Sequence, residues 1–152
     1  MKPYLDTNFL LRVFLDYEET DSALAGFRAM RAKGGCPTTW LHRIEYANAL
    51  HLMVFQTRSG GLPRVTPQIA AIAQADFDAA LSNGEGLEEA SLAGTELATL
   101  CREISGRQTT RHGFRTYDII HVASARLLGC DAFWSFDAKA NKLASLEGLK
   151  TL

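Results

Sequence analysis

The sequence predicts an α/β protein in which helices cover a central, mostly parallel sheet. Three observations carry that class. Lys2 to Asp6 reads as a short strand that runs directly into a helical pattern through Phe9, Leu10, Val13 and Phe14. Further strand-like runs are separated by helical segments rather than by hairpin turns. The stretch from Phe114 to Asp137, FRTYDIIHVASARLLGCDAFWSFD, reads as a nearly all-apolar helix, a Gly-Cys-Asp turn and a short aromatic strand. It carries one acid at the helix start, Asp118, and another at the strand end, Asp137.

The remaining elements follow in order. Glu18 to Lys33 places Leu24, Phe27 and Met30 at helical spacing and stops at Gly34-Gly35. Cys36 to Thr38 reads as a second short strand, and Thr38 or Thr39 caps a long helix from Trp40 to Arg58. Its expected buried side is Trp40, Leu41, Ile44, Ala47, Leu50 and Val54. Ser59 to Pro67 is a loop, and Thr66-Pro67 gives the next helix a cap and a proline at its first position. That helix runs to Asn83-Gly84, and an extended segment covers Glu85 to Ala90. Ser91 opens a helix that ends near Gly106, and after Asp137 come a short helix and an edge strand from Leu149 to Leu152.

A chain of 152 residues fits one domain and can bury a core without metal or disulfide staples. The net charge of -1 argues against a partner held mainly by bulk electrostatics, though it leaves room for a local basic patch. Cys36, Cys101 and Cys130 are odd in number and lack CxxC spacing, which fits reduced thiols in a cytoplasmic protein. No segment approaches the roughly 18 apolar residues of a membrane span, and the N-terminus lacks a signal-peptide pattern. The expectation is a cytoplasmic protein with no membrane association.

Four acids carry the chemistry of the sequence: Asp6 and Asp137 at strand ends, Glu45 and Asp118 on helices. In a parallel sheet, ligands collect at the carboxyl ends of strands, so Asp6 and Asp137 can be neighbours although they are far apart in the chain. Taken locally, Asp6 also fits a helix cap and Glu45 a solvated helix face. Four converging carboxylates repel one another and raise their pKa values unless a cation is present. A hard divalent ion, Mg²⁺ or Mn²⁺, takes oxygen ligands, lowers the pKa of a bound water and neutralises a leaving oxygen. The implied reaction is phosphodiester hydrolysis. Arg102, Arg107, Arg111, His112 and Arg115 precede Asp118 and form either a phosphate-facing patch or a solvated loop. Tyr117 and Trp134 are the aromatic candidates for stacking on bases.

The strings YLDTNFLL (4 to 11), RIEYANAL (43 to 50), TYDIIHVASARLLGCD (116 to 131) and FWSFD (133 to 137) resemble the four blocks of PIN-domain proteins, most closely the small VapC-type ribonuclease toxins. The resemblance spans nearly the whole chain with the blocks in the right order. It implies a three-layer α/β/α fold with a central mostly parallel sheet, and a Mg²⁺- or Mn²⁺-dependent endoribonuclease that cuts RNA. It further implies a cognate antitoxin protein and a homodimer. Asp6, Glu45, Asp118 and Asp137 match the family's catalytic, metal-binding acids, and Asn8 and Ser135 match polar residues that orient a carboxylate or water. Arg111 and Arg115 are the candidates for contact with substrate phosphate. Where some relatives carry a further acid after the last one, this chain has Ala138, Lys139, Ala140 and Asn141.

Other chemistries fit less of the sequence. His42-x-x-Glu45 and Asp118-x-x-His121 are i, i+3 pairs compatible with a His/carboxylate metal enzyme, but the strand signals oppose a helical di-iron bundle and there is no HExxH. Asp6-Thr7-Asn8 lacks the second aspartate of a phosphotransfer motif. A PIN-like RNA- or protein-binding module without catalysis has no need of all four acids.

Overall fold

The computed structural model describes residues 1–16, 20–31 and 34–152. The chain is α/β and divides into two compact units: residues 1–6 with 90–152, and residues 7–89. Among the described residues no helix is long and apolar enough to cross a membrane.

The first unit is built on two adjacent parallel strands, β1 (Pro3–Leu5) and β4 (Ala132–Trp134), with Pro3 opposite Ala132 and Leu5 opposite Trp134. Two remote segments therefore end side by side, as the placement of Asp6 and Asp137 at strand ends requires. The Asp6 N–H extends the ladder by donating to the Trp134 carbonyl at 3.0 Å. Helix α7 (Thr116–Leu127) buries Ile119, Val122, Ala123 and Ala125, and these pack with Tyr4, Phe133 and Leu143 in one core. A helix apolar on most sides belongs in such a position. Helix α8 (Ala138–Leu146) is capped by Asp137, whose Oδ1 accepts N–H bonds from Lys139 at 2.7 Å and Ala140 at 3.2 Å. The expected C-terminal strand shrinks to a single bridge between Ala132 and Lys150.

The connection from α5 (Gly94–Ile104) to α7 differs from the sequence reading. The helix opens at Gly94 rather than Ser91 and ends at Ile104, close to Gly106 as read, but the chain does not leave helical geometry there. The chain continues through a π-helical turn at Ser105–Thr109 into α6 (Thr110–His112), and the break comes at Gly113 with a φ of 65°. Glycine in a helix costs only about 1 kcal/mol relative to alanine, an amount that tertiary hydrogen bonds readily offset. Here Arg107 and Gln108 both donate to the Glu147 carboxylate, which ties the turn to the end of α8.

The second unit holds α1 (Thr7–Phe14), α2 (Thr20–Arg31), β2 (Cys36–Thr38), α3 (Trp40–Arg58), α4 (Pro67–Ser82) and β3 (Leu87–Glu89). The ends of the expected helix at Glu18 and Lys33 lie outside the described residues. Strands β2 and β3 pair in parallel, Cys36 opposite Leu87. Phe14 sets its edge against Phe27, Tyr46 and Phe77, and Tyr46 stacks on Phe77 with centroids 4.5 Å apart. The cap expected at Thr66 is present, its hydroxyl accepting from the Ile69 N–H at 3.2 Å.

The buried face of α3 is a correction. Leu41, His42, Tyr46 and Leu50 point inward, while Trp40 and Ile44 are 53% and 62% exposed. The segment is apolar on several faces, so its periodicity does not select one; Tyr46 and His42 win because each gains a polar partner inside. The Tyr46 hydroxyl donates to the Ala73 carbonyl at 3.1 Å, and His42 Nδ1 accepts from the Thr39 N–H at 3.0 Å.

Candidate functional site

The acids of the first unit lie just past the ends of β1 and β4 and in the first turn of α7. Asp6 follows β1 directly and is buried. Ser135, the residue after β4, donates its hydroxyl to Asp6 Oδ2 at 2.8 Å and accepts the Asp137 N–H at 2.9 Å. One buried hydroxyl thus links the two strand-end acids. Asn141 Nδ2 donates to the Ser135 carbonyl at 2.8 Å, bracing the same residue from α8.

On the other side of Asp6 stands an imidazole. His121 Nε2 lies 3.7 Å from Asp6 Oδ1, and its Nδ1 is 2.9 Å from the Tyr4 hydroxyl. Tyr4 and His121 are buried, so Tyr4, His121, Asp6 and Ser135 form a chain of polar groups enclosed by the core. The Tyr4 contact fixes the ring plane and leaves Nε2 toward the carboxylate, the arrangement by which an outer partner orients a metal-binding histidine.

Asp118 and Asp137 are joined through Arg115. The guanidinium donates from Nε to Asp118 Oδ2 at 2.9 Å, from Nη2 to Asp118 Oδ1 at 3.0 Å, and from Nη2 to Asp137 Oδ2 at 2.7 Å. Burial pushes the Asp137 carboxyl up, but the Arg115 hydrogen bond and the N–H groups of Lys139 and Ala140 outweigh it and hold the group below the usual range. The bond to Asp118, then that to Asp137, raises the Arg115 pKa further, so the arginine stays charged. Two carboxylates here share one guanidinium. That leaves net negative charge beside the buried Asp6, and oxygen donors in this balance suit a hard divalent cation.

In the second unit Glu45 is half-buried on α3 and accepts a hydrogen bond from the Thr7 hydroxyl. Thr7 is bonded in the chain to Asp6, so the first acid and the holder of Glu45 are consecutive residues. Asn8 is the second residue of α1 and accepts Arg12 at its backbone carbonyl at 2.9 Å.

The arginine patch read before Asp118 comes apart. Arg107 is bound to Glu147, and the Arg107 pKa is raised chiefly by that hydrogen bond. Arg115 is bound to the site acids, and Arg102 and Arg111 are exposed. Trp134 is buried within β4 and is not a stacking surface, whereas Tyr117 is 57% exposed. His42 serves as the cap partner of Thr39, and His121 lies beside Asp6. The sequence reading weighed His121 only as part of a competing metal chemistry and missed its pairing with Tyr4. The signal for His121 was its i+3 spacing from Asp118, a weak one on a buried helix. No protein-family model matches the chain, and no curated protein matches it.

Proposed function

We propose that the chain is a divalent-metal-dependent endoribonuclease of the PIN-domain type, hydrolysing RNA phosphodiester bonds, and the toxin of a type II toxin–antitoxin pair. A three-layer α/β/α arrangement, a cognate antitoxin and a homodimer belong to the same reading. The observation that carries it is the sharing of one guanidinium by Asp118 in the first turn of α7 and Asp137 just past β4, with Asp6, at the end of the paired strand β1, linked through one hydroxyl.

In this reading Asp6, Asp118 and Asp137 hold Mg²⁺ or Mn²⁺, and the family resemblance assigns Glu45 to the same set of acids. Bound there, the ion would supply Lewis acidity and an acidified water. Ser135 orients the Asp6 carboxylate and holds the Asp137 backbone N–H, and Asn141 keeps Ser135 in place. Burial of Asp6 and Asp118 limits competing water at the acids.

The test is cleavage of total RNA by purified protein in Mg²⁺ or Mn²⁺, with Asp118→Asn beside it. Loss of cleavage in the variant and in excess EDTA is expected; equal cleavage by both proteins sinks the assignment. A second reading, a His/carboxylate metal enzyme, is favoured by the 3.7 Å approach of His121 to Asp6. Pulsed EPR of the Mn²⁺-loaded protein separates them: nitrogen coupling that disappears in His121→Gln marks an imidazole ligand, and its absence leaves an all-oxygen site.

A further inference from the structure

We propose that Arg115 is the resident counter-cation of the Asp118–Asp137 pair, displaced when a divalent ion binds and then available to an RNA phosphate. This rests on the metal-nuclease reading above and adds to it a competition within the site.

The members of the cluster are unequally held. Asp118 sits in the first turn of α7 with its side chain only 9% exposed, while the Arg115 side chain is 60% exposed. Asp137 Oδ1 is fixed by the N–H groups of Lys139 and Ala140, which leaves Oδ2 to Arg115. Asp137 is therefore anchored by backbone N–H groups and Asp118 by its burial in the core, whereas the arginine is the exposed member of the cluster. Arg115 itself lies in extended backbone just ahead of α7, two residues after the left-handed turn at Gly113, and its side chain makes no cap bond to the helix. It is the most solvent-exposed member of the three.

The chemistry of the exchange is balanced. A guanidinium fork matches a carboxylate and a phosphate in the same planar, two-bond geometry, so the group that leaves Asp118 is already shaped for a phosphodiester. Because arginine keeps its charge at all working pH values, the exchange is driven by the competing cation and not by protonation. Its cost shows as a reduced apparent metal affinity, equal to the intrinsic affinity multiplied by the fraction of molecules with Arg115 withdrawn.

The experiment is a Mn²⁺ titration followed by EPR of free Mn²⁺, on wild type, Arg115→Gln, Arg115→Lys, Arg102→Gln and Asp118→Asn. A single-stranded RNA oligonucleotide is then bound in Ca²⁺ and followed by fluorescence anisotropy. Arg115→Gln is expected to bind Mn²⁺ about tenfold more tightly, corresponding to a clamp closed in roughly nine molecules of ten, and to bind RNA more weakly than wild type. Arg115→Lys, which keeps the charge and loses the fork, falls between. Arg102→Gln removes the same charge from an exposed position and changes Mn²⁺ affinity by no more than about twofold, because exposed surface charge is screened. Unchanged or weaker Mn²⁺ binding by Arg115→Gln overturns the proposal, as does unchanged RNA binding. If Asp118→Asn abolishes Mn²⁺ binding while Arg115→Gln matches wild type, the metal site stands and only the role of Arg115 falls. If neither wild type nor Arg115→Gln binds Mn²⁺, the nuclease reading itself fails.

Discussion

Two arginine–carboxylate clusters occupy the first unit, and their stoichiometry is opposite. At Glu147 one carboxylate receives Arg107, Arg126 at 2.6 Å and Gln108 at 2.8 Å, and its side chain is only 2% exposed. Between α7 and the segment after β4 a single arginine is divided between Asp118 and Asp137. The first cluster has more donors than its acid requires and ties three segments of chain together. The second has fewer, and its arginine is the exposed member. Surplus cation around one acid is what a structural tie needs; surplus anion around one cation is a place where another cation can enter.

The comparison is broken most sharply by chemistry. Asp6→Asn and Asp118→Asn are expected to lower RNA cleavage by more than the roughly 10–100-fold that loss of a supporting residue costs, as initial rates in Mn²⁺ will report. Glu147→Gln is expected to leave the rate per folded molecule unchanged. If Glu147→Gln proves as damaging to the rate, the two clusters do not differ in function. Ser135→Ala, which removes the hydroxyl between Asp6 and Asp137, is expected to fall within that 10–100-fold range in Mn²⁺ affinity.

Stability should rank the clusters the other way. Glu147→Gln is expected to cost about 2 kcal/mol in urea unfolding, the scale of hydrogen bonds to a charged group. Asp118→Asn without metal is expected to cost about 1 kcal/mol, reduced because Arg115 is largely exposed. The sequence alone suggests a gain for Asp118→Asn, from relief of like charge; Arg115 reverses that sign.

The smallest effect is on pH. Burial pushes the Glu147 carboxyl up, but the bonds from Arg107 and Gln108 bring it below its ordinary value. A folded pKa below the unfolded one stabilises above the unfolded value, roughly 4.3, and the contribution is lost as pH falls through the folded value. The Tm of wild type should therefore drop more steeply on acidification through this window than that of Glu147→Gln. Parallel curves would remove the structural role given to the cage.

The sequence made legible what depends on local pattern. Asp6 and Asp137 read as strand-end acids because each closes a short apolar run, and β1 and β4 do pair in parallel. Thr66-Pro67 read as a helix start because cap and proline are adjacent. What depends on remote pairing was hidden. Nothing near Arg107 announces Glu147, so it read as part of a basic loop, and the π-helical turn that carries the chain past Gly106 was hidden because the bonds that tie it come from the end of α8. Arg115 was legible as an arginine beside an acid, but its hold on Asp137 needs the fold. On α3, apolar residues on several faces left the buried one undetermined until the partners of Tyr46 and His42 were in place.

Asp137 divides its two oxygens between unlike duties: Oδ1 starts a helix, and Oδ2 meets the guanidinium. A mutational scan scored only on protein abundance would mark the position as intolerant for reasons that have nothing to do with turnover. Asp137→Ser is the separation-of-function allele, because serine still caps the helix but carries no charge. Its abundance should follow wild type while its activity follows Asp118→Asn.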